Sequence, residues 1–181
     1  MSDTLPIFTV GHSTRSIDEF VELLRQGSAR AVVDVRTVPK SRRNPQFGED
    51  RIASELAPFQ IGYQRIAGLG GLRGRSKDVP PDLNAYWENQ SFHNYADYAV
   101  SRAFRSALGQ LIEESSERVC AIMCAEAVWW RCHRRIISDY RLVNGRKVFH
   151  LMGSGRVEPA RLNPAARPRS DGIVYSRPQH G

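Results

Sequence analysis

The sequence predicts an α/β fold, a single domain on a mostly parallel sheet of about five strands with helices on both faces. Three observations lead there. Short β-branched, apolar runs alternate with amphipathic stretches along most of the chain. Two of those runs, Ala31 to Val35 and Arg118 to Met123, are nearly continuous in apolar residues, as strands covered on both faces are. The length of 181 residues, with 41% hydrophobic and 25% charged content, suits one domain with a core of its own and no need of disulfide or metal staples.

The elements follow in order. Pro6 to Val10 is an apolar run ending at Gly11-His12-Ser13, and it reads as a first strand. Ser16 followed by Glu19 forms a capping box, opening a helix that carries Phe20, Leu23 and Leu24 on one face and stops near Gly27. Ala31 to Val35 is the second strand. Thr37 to Phe47 holds two prolines with Lys40, Arg42 and Arg43, and is a loop. A short helix through Ile52 and Leu56 follows, halted at Pro58. Gln60 to Ile66 is a weaker strand leading into Gly68-Leu69-Gly70-Gly71-Leu72-Arg73-Gly74, too rich in glycine for regular structure.

Asn94 to Glu114 is expected to be the longest helix, because Ala96, Val100, Ala103, Ala107 and Leu111 fall at three- and four-residue spacing. Arg118 to Met123 is the fourth strand. A helix with Ile136, Ile137, Tyr140 and Val143 ends at Asn144-Gly145, and Lys147 to Met152 is the last strand. The domain is expected to span residues 1–157. Residues 158–181, rich in Pro and Arg without periodicity, read as a basic tail, extended or disordered.

There is no apolar run near the ~20 residues of a membrane span. The N-terminus, MSDTLPIFTVGHS, lacks the basic and apolar regions of a secretory signal. Three cysteines, an odd number, then read as reduced thiols, and the expected compartment is the cytoplasm. The net charge of +7 favours nucleic acid or phosphate-bearing ligands as partners, and no membrane. No motif names a cofactor or an oligomeric state: the P-loop pattern GxxxxGK[ST] and the Rossmann fingerprint are both missing.

In an open parallel sheet, ligands bind beyond the carboxyl ends of the strands. Those positions carry His12 and Ser13, Asp34 and Arg36, Arg73 and Arg75, Cys124 and Glu126, and His150. Cys124 leaves a buried strand ahead of a helix, where the helix dipole and the arginines at 131, 134 and 135 favour the thiolate. Glu126 and Asp34 suit acid–base work, as does His12. Cys124, Glu126, Asp34 and His12 are therefore the candidate catalytic residues, and Ser13, Arg36, Arg42, Arg73, His133 and Arg134 the candidates for holding substrate. Cys120 reads as a small buried hydrophobe.

The string CAEAVWWRCHRRIISDYRL, with VGHSTRS near the start and VVDVRTVPKS after the second strand, resembles the domain-of-unknown-function family numbered 488 over about residues 6 to 152. The resemblance implies a small cytoplasmic protein with no settled activity, to which a role in DNA repair is sometimes attached. Its pattern lands on Gly11, His12, Ser13, Asp34, Arg36, Cys124, Glu126, Cys132, His133 and Arg134.

Three site chemistries compete. A cysteine-phosphatase or rhodanese-like loop departs in detail, because Cys124 to Arg131 encloses one residue more than the phosphatase loop and contains no glycine. A metal site would use Cys124, Cys132 and His133, with His12 as a further candidate ligand, although adjacent side chains on a helix point about 100° apart. The favoured reading is an enzyme acting on nucleic acid or a nucleotide at the C-terminal edge of the sheet, with DNA repair or processing as the setting. Its rival from another class is a non-catalytic nucleic-acid-binding or interaction protein.

Overall fold

Every residue of β1 (Ile7–Gly11), β2 (Ala31–Asp34) and β4 (Cys120–Cys124) is buried, because both faces of their sheet are covered. The structure is a computed structural model and describes residues 5–177. The remaining strands are β3 (Gly62–Arg65), β5 (Val148–Gly153) and β6 (Arg156–Pro159), and the sheet order is β3-β2-β4-β1-β5-β6. All neighbours are parallel except β5 and β6.

The period of two along each strand sorts the core into two layers. On one face Ile7, Val33, Cys120, Ile122 and Cys124 meet residues of α3 (Gln90–Ala99), α4 (Arg102–Glu117) and α5 (Arg134–Val143). On the other, Phe8, Val10, Val32, Ala121 and Met123 meet α1 (Ile17–Arg25) and α2 (Glu49–Leu56). The capping box at Ser16 and Glu19 is present, with both reciprocal bonds formed. The expected α/β class, parallel sheet and two-sided helical cover are all found.

Two expectations need correcting. The helix from Asn94 to Glu114 is two helices, since the Ser101 side chain accepts the amide of Phe104 and starts α4 afresh. Such a cap stabilises by about 1 kcal/mol, and here it overrides the apolar stripe: Ala103 is exposed, while Phe104 and Leu108 are buried instead. Residues 158–177 are ordered rather than a loose tail. Beyond β6, β7 (Ala166–Arg169) and β8 (Gly172–Tyr175) form a hairpin that places Ala166, Ile173 and Tyr175 in the α3–α5 core layer. Tyr175 donates to Asp139 Oδ2 (2.7 Å), its amide donates to Asn84 Oδ1 (2.8 Å) and its carbonyl accepts from Tyr86 (3.1 Å). Residues 178–181 of the expected tail lie outside the described residues.

Register sets the site. Gly11 pairs with Cys124 and Asp34 with Met123, so the carboxyl ends of β1, β2 and β4 stand side by side. His12, Asp34 and Cys124 therefore share one edge of the sheet. Among the described residues, no helix is long and apolar enough to cross a membrane.

Candidate active site

The loop leaving β4 is pinned through four consecutive carbonyls. His12 N donates to Cys124 O (2.9 Å) and Ser13 N to Ala125 O (3.0 Å), extending the β1–β4 ladder past its end. Arg134 holds the next two, Glu126 O at 2.9 Å through Nη1 and Ala127 O at 3.2 Å through Nη2. This closure requires Gly11, where a Cβ would lie 1.8 Å from Glu126 O. Ser13 turns the chain away with a left-handed φ of 48°.

Arg134 is fully buried at the start of α5, and its Nη1 also donates to Cys124 Sγ at 3.0 Å. Among the described residues no Asp or Glu makes an ion pair with it. A buried guanidinium is costly without a counter-charge, and the ionised Cys124 sulfur is the group in position to supply one. Cys132 lies against the same sulfur, Sγ to Sγ 2.6 Å, with its thiol donating to Cys124. Burial opposes ionisation of Cys124, but the Cys132 hydrogen bond, the Arg134 charge and a backbone hydrogen bond at Glu126 outweigh it, and its pKa falls to about 7. Burial, followed by the neighbouring Cys124, drives the Cys132 pKa well up, so Cys132 stays a thiol.

The second wall comes from β1 and β2. Asp34 is fully buried and accepts four hydrogen bonds, from Arg36 N, Nε and Nη2 and from the Tyr63 hydroxyl (2.5 Å). With both oxygens occupied, Asp34 is an anchor that aims Arg36. Arg36 Nη1 reaches His12 Nε2 at 3.3 Å, and His12 Nδ1 donates to Ser13 O at 2.9 Å, which fixes one neutral tautomer. Burial, followed by the charge of Arg36, lowers the His12 pKa, against the opposing bond to Ser13. The His12 ring stacks on Phe47 at 4.5 Å.

His133 closes the floor. Its Nε2 donates to Val35 O (2.8 Å), and its Nδ1 faces Cys132 Sγ at 3.5 Å. Burial above all, with Arg134 nearby, brings its pKa down to about 4, so the ring is neutral. The glycine-rich loop packs on it: a Cβ at Gly71 would lie 2.4 Å from Nδ1.

These groups line a cleft of about 720 Å³, within the size range of small-ligand sites. Cys124, Cys132, His12, Arg36 and His133 form its inner surface; Lys40, Glu126 and Arg131 stand on its rim, and Phe92 and the exposed Trp130 form an aromatic side.

Not every expected residue is here. Arg42 is exposed on its loop, away from the lining. Arg73 sits over the Tyr98 ring at 3.8 Å, bonds Gly70 O and Ala67 O, and lines a different cavity. Ser13 contributes backbone, and Arg134 lies behind Cys124 rather than in the cleft. His150 faces Thr9 Oγ1 and stacks on Trp129, apart from the cleft. The arginine that meets the sulfur is Arg134, not Arg131, and Cys132 precedes α5 instead of riding on it. Sequence reasoning missed Tyr63, for which no local signal exists, and Phe92, which the Asn89 cap ahead of α3 could have flagged.

The metal alternative is not supported by the geometry. Among the described residues no three His, Cys, Asp or Glu side chains are arranged around a common point, and the Arg134 guanidinium occupies the place beside Cys124 that a cation would need.

Residues 16–141, more than half of the chain, match the model of the domain of unknown function DUF488. The chain belongs to this family. The matched span of DUF488 here contains Asp34, Arg36, Cys124, Cys132, His133 and Arg134, while β1 with Gly11 and His12 lies just ahead of it. No curated protein and no solved structure matches the chain.

Proposed function

We propose that the cleft is the active site of an enzyme that binds a nucleotide-sized, phosphate-bearing substrate, either free or as part of a nucleic acid, beside the Cys124 thiolate. The observation that carries this reading is the buried Arg134, which donates to Cys124 Sγ and, among the described residues, makes no ion pair with an Asp or Glu, while Cys124 opens onto a cleft of about 720 Å³. Arg36, Lys40 and Arg131 supply positive charge for phosphate, Phe92 and Trp130 supply faces for a base, and Glu126 is placed on the rim for proton transfer. A thiolate of this kind requires a reducing compartment, which fits the cytoplasm, and repair or processing of DNA is the setting it would serve.

The test is protection of Cys124. Iodoacetamide should label Cys124 faster than Cys120 near pH 7, and millimolar mononucleotide or a short single-stranded oligonucleotide should slow that labelling several-fold, with inorganic phosphate acting more weakly. Labelling of Cys124 unchanged by every nucleotide and oligonucleotide tried would overturn the substrate assignment. A non-catalytic nucleic-acid-binding role has its own support in Lys40 on the rim of the cleft and the exposed Arg42 and Arg43 further along the same loop. It predicts salt-sensitive DNA or RNA binding that Cys124→Ser leaves intact.

A further inference from the structure

Covalent catalysis at Cys124 needs one sulfur, yet the cleft holds two. Cys132 is brought to Cys124 by the 3-10 turn Trp129–Arg131, which reverses the chain so that Cys132 N bonds Trp129 O (3.2 Å). The amide of Arg134 points at Cys132 Sγ (3.4 Å), fixing that thiol from the far side. The sulfurs stand 2.6 Å apart, about half an ångström beyond a covalent bond, which is about 2.05 Å. Both line the same cleft, so a small oxidant that reaches one reaches the pair.

We propose that Cys124 and Cys132 are a redox-active dithiol, Cys124 the attacking sulfur and Cys132 the resolving one, that reduces a peroxide and is left as an intramolecular disulfide. The inference rests on the Cys124 thiolate of the proposed site but not on the identity of its substrate. The Cys124 thiolate attacks one oxygen of hydrogen peroxide; the O–O bond breaks, Cys124 becomes a sulfenic acid, and the departing hydroxide takes a proton to become water. The Cys132 sulfur then attacks the Cys124 sulfur, the S–O bond breaks, and the oxygen leaves as a second water with the Cys132 proton. Two thiols lose two electrons in total and one peroxide gains them. An external dithiol restores the pair by two successive exchanges.

The pair is asymmetric as the two roles require. The attacking sulfur has Arg134 at 3.0 Å to hold its charge, and the resolving sulfur keeps its proton until it is used. Cys120 is a built-in control. It is fully buried at the start of β4, near Arg118 O, and burial pushes its pKa up to about 12.

The experiment treats the full chain with a small excess of hydrogen peroxide, then quenches and digests it without reductant. The expected product has lost the mass of two hydrogens, carries a Cys124–Cys132 link and returns to the starting mass with dithiothreitol. Cys132→Ser should stop at one added oxygen on Cys124, trapped by dimedone, and Cys120→Ala should behave as the unaltered chain. Accumulation of one to three oxygens on Cys124 without a link, a link through Cys120, or no reaction with peroxide would each overturn the dithiol. Iodoacetamide labelling of Cys124, run in parallel on the reduced protein, stays fast if only the dithiol proposal fails and is slow if the thiolate reading itself fails.

Discussion

Arg134→Met tests the electrostatic logic of the site most directly. The substitution keeps an unbranched chain in the buried slot and removes the charge 3.0 Å from Cys124 Sγ. The Cys124 pKa should then return from about 7 toward its ordinary value of 9.0. At pH 7 the ionised fraction falls from about one half to about one in a hundred, a loss of about 50-fold in reactive species. A more basic thiolate is a better nucleophile, and a Brønsted slope of about 0.4–0.5 restores about 6- to 10-fold over that range. A full return would lower the alkylation rate at pH 7 by about 5- to 8-fold; because the Cys132 hydrogen bond still favours the thiolate, the midpoint of the rate–pH profile should move up from about 7 by part of that range. Glu126 O and Ala127 O also lose their donors, at about 1–3 kcal/mol each, so a melting curve must first show the variant folded. Arg134→Lys, which keeps a charge but not the fork, provides a second variant with a smaller shift. The assay is iodoacetamide labelling read peptide by peptide between pH 5 and 10. An unchanged midpoint in folded Arg134→Met would refute the claim that Arg134 holds the thiolate.

Acid should destabilise the protein early. Burial lowers the pKa of His133 to about 4 and of His150 to about 3, against 6.5 for the free side chain, so between pH 6.5 and 4 the unfolded chain takes up protons that the native state refuses. Their stabilisation is complete above pH 6.5 and is lost as pH falls, so the melting temperature should drop through that window, and His150→Gln should flatten the drop. Gly11→Ala should lower stability by about 1–3 kcal/mol or more, measured by urea unfolding, because its Cβ displaces the Glu126 carbonyl; it should also blunt Cys124 labelling, and a neutral outcome would show that the loop yields freely. Truncation after Val157 removes Ala165, Ala166, Ile173, Val174 and Tyr175 from buried positions. At about 1.5–3 kcal/mol for each large side chain, the shortened chain should melt far lower or not fold, which circular dichroism would detect.

The sheet was legible because its signals are local. A strand such as Ala31 to Asp34 has to be apolar on both faces, and the polar residue that ends it has to lie at the carboxyl edge, so His12, Arg36 and Cys124 reached the cleft as expected. What failed were contests between local and distant forces. One serine at 101 outweighed a stripe of five apolar residues. Arginine and proline near residues 158–169 concealed Ile173, Val174 and Tyr175, whose partners Asn84, Asp139 and Tyr140 lie 33 or more positions away. The sulfur pair is hidden in the sequence because helical spacing extends back over Cys132 although the helix starts only at Arg134; an irregular turn, invisible to periodicity, brings the two cysteines together.

The docking of β8 has a consequence for synthesis of the chain. The Tyr140 hydroxyl, the Asp139 carboxylate and the Asn84 side chain all wait for β8, which leaves the ribosome after the helices and the sheet it completes. Until then the layer formed by α3, α4 and α5 has a gap where Ile173 and Tyr175 belong, and Asp139 faces it without its hydroxyl partner. Closure over such sequence separations is slow and leaves apolar surface uncovered in the meantime. A nascent chain stalled before residue 172 would therefore present a sticky helical layer to chaperones and proteases until β8 emerges and docks.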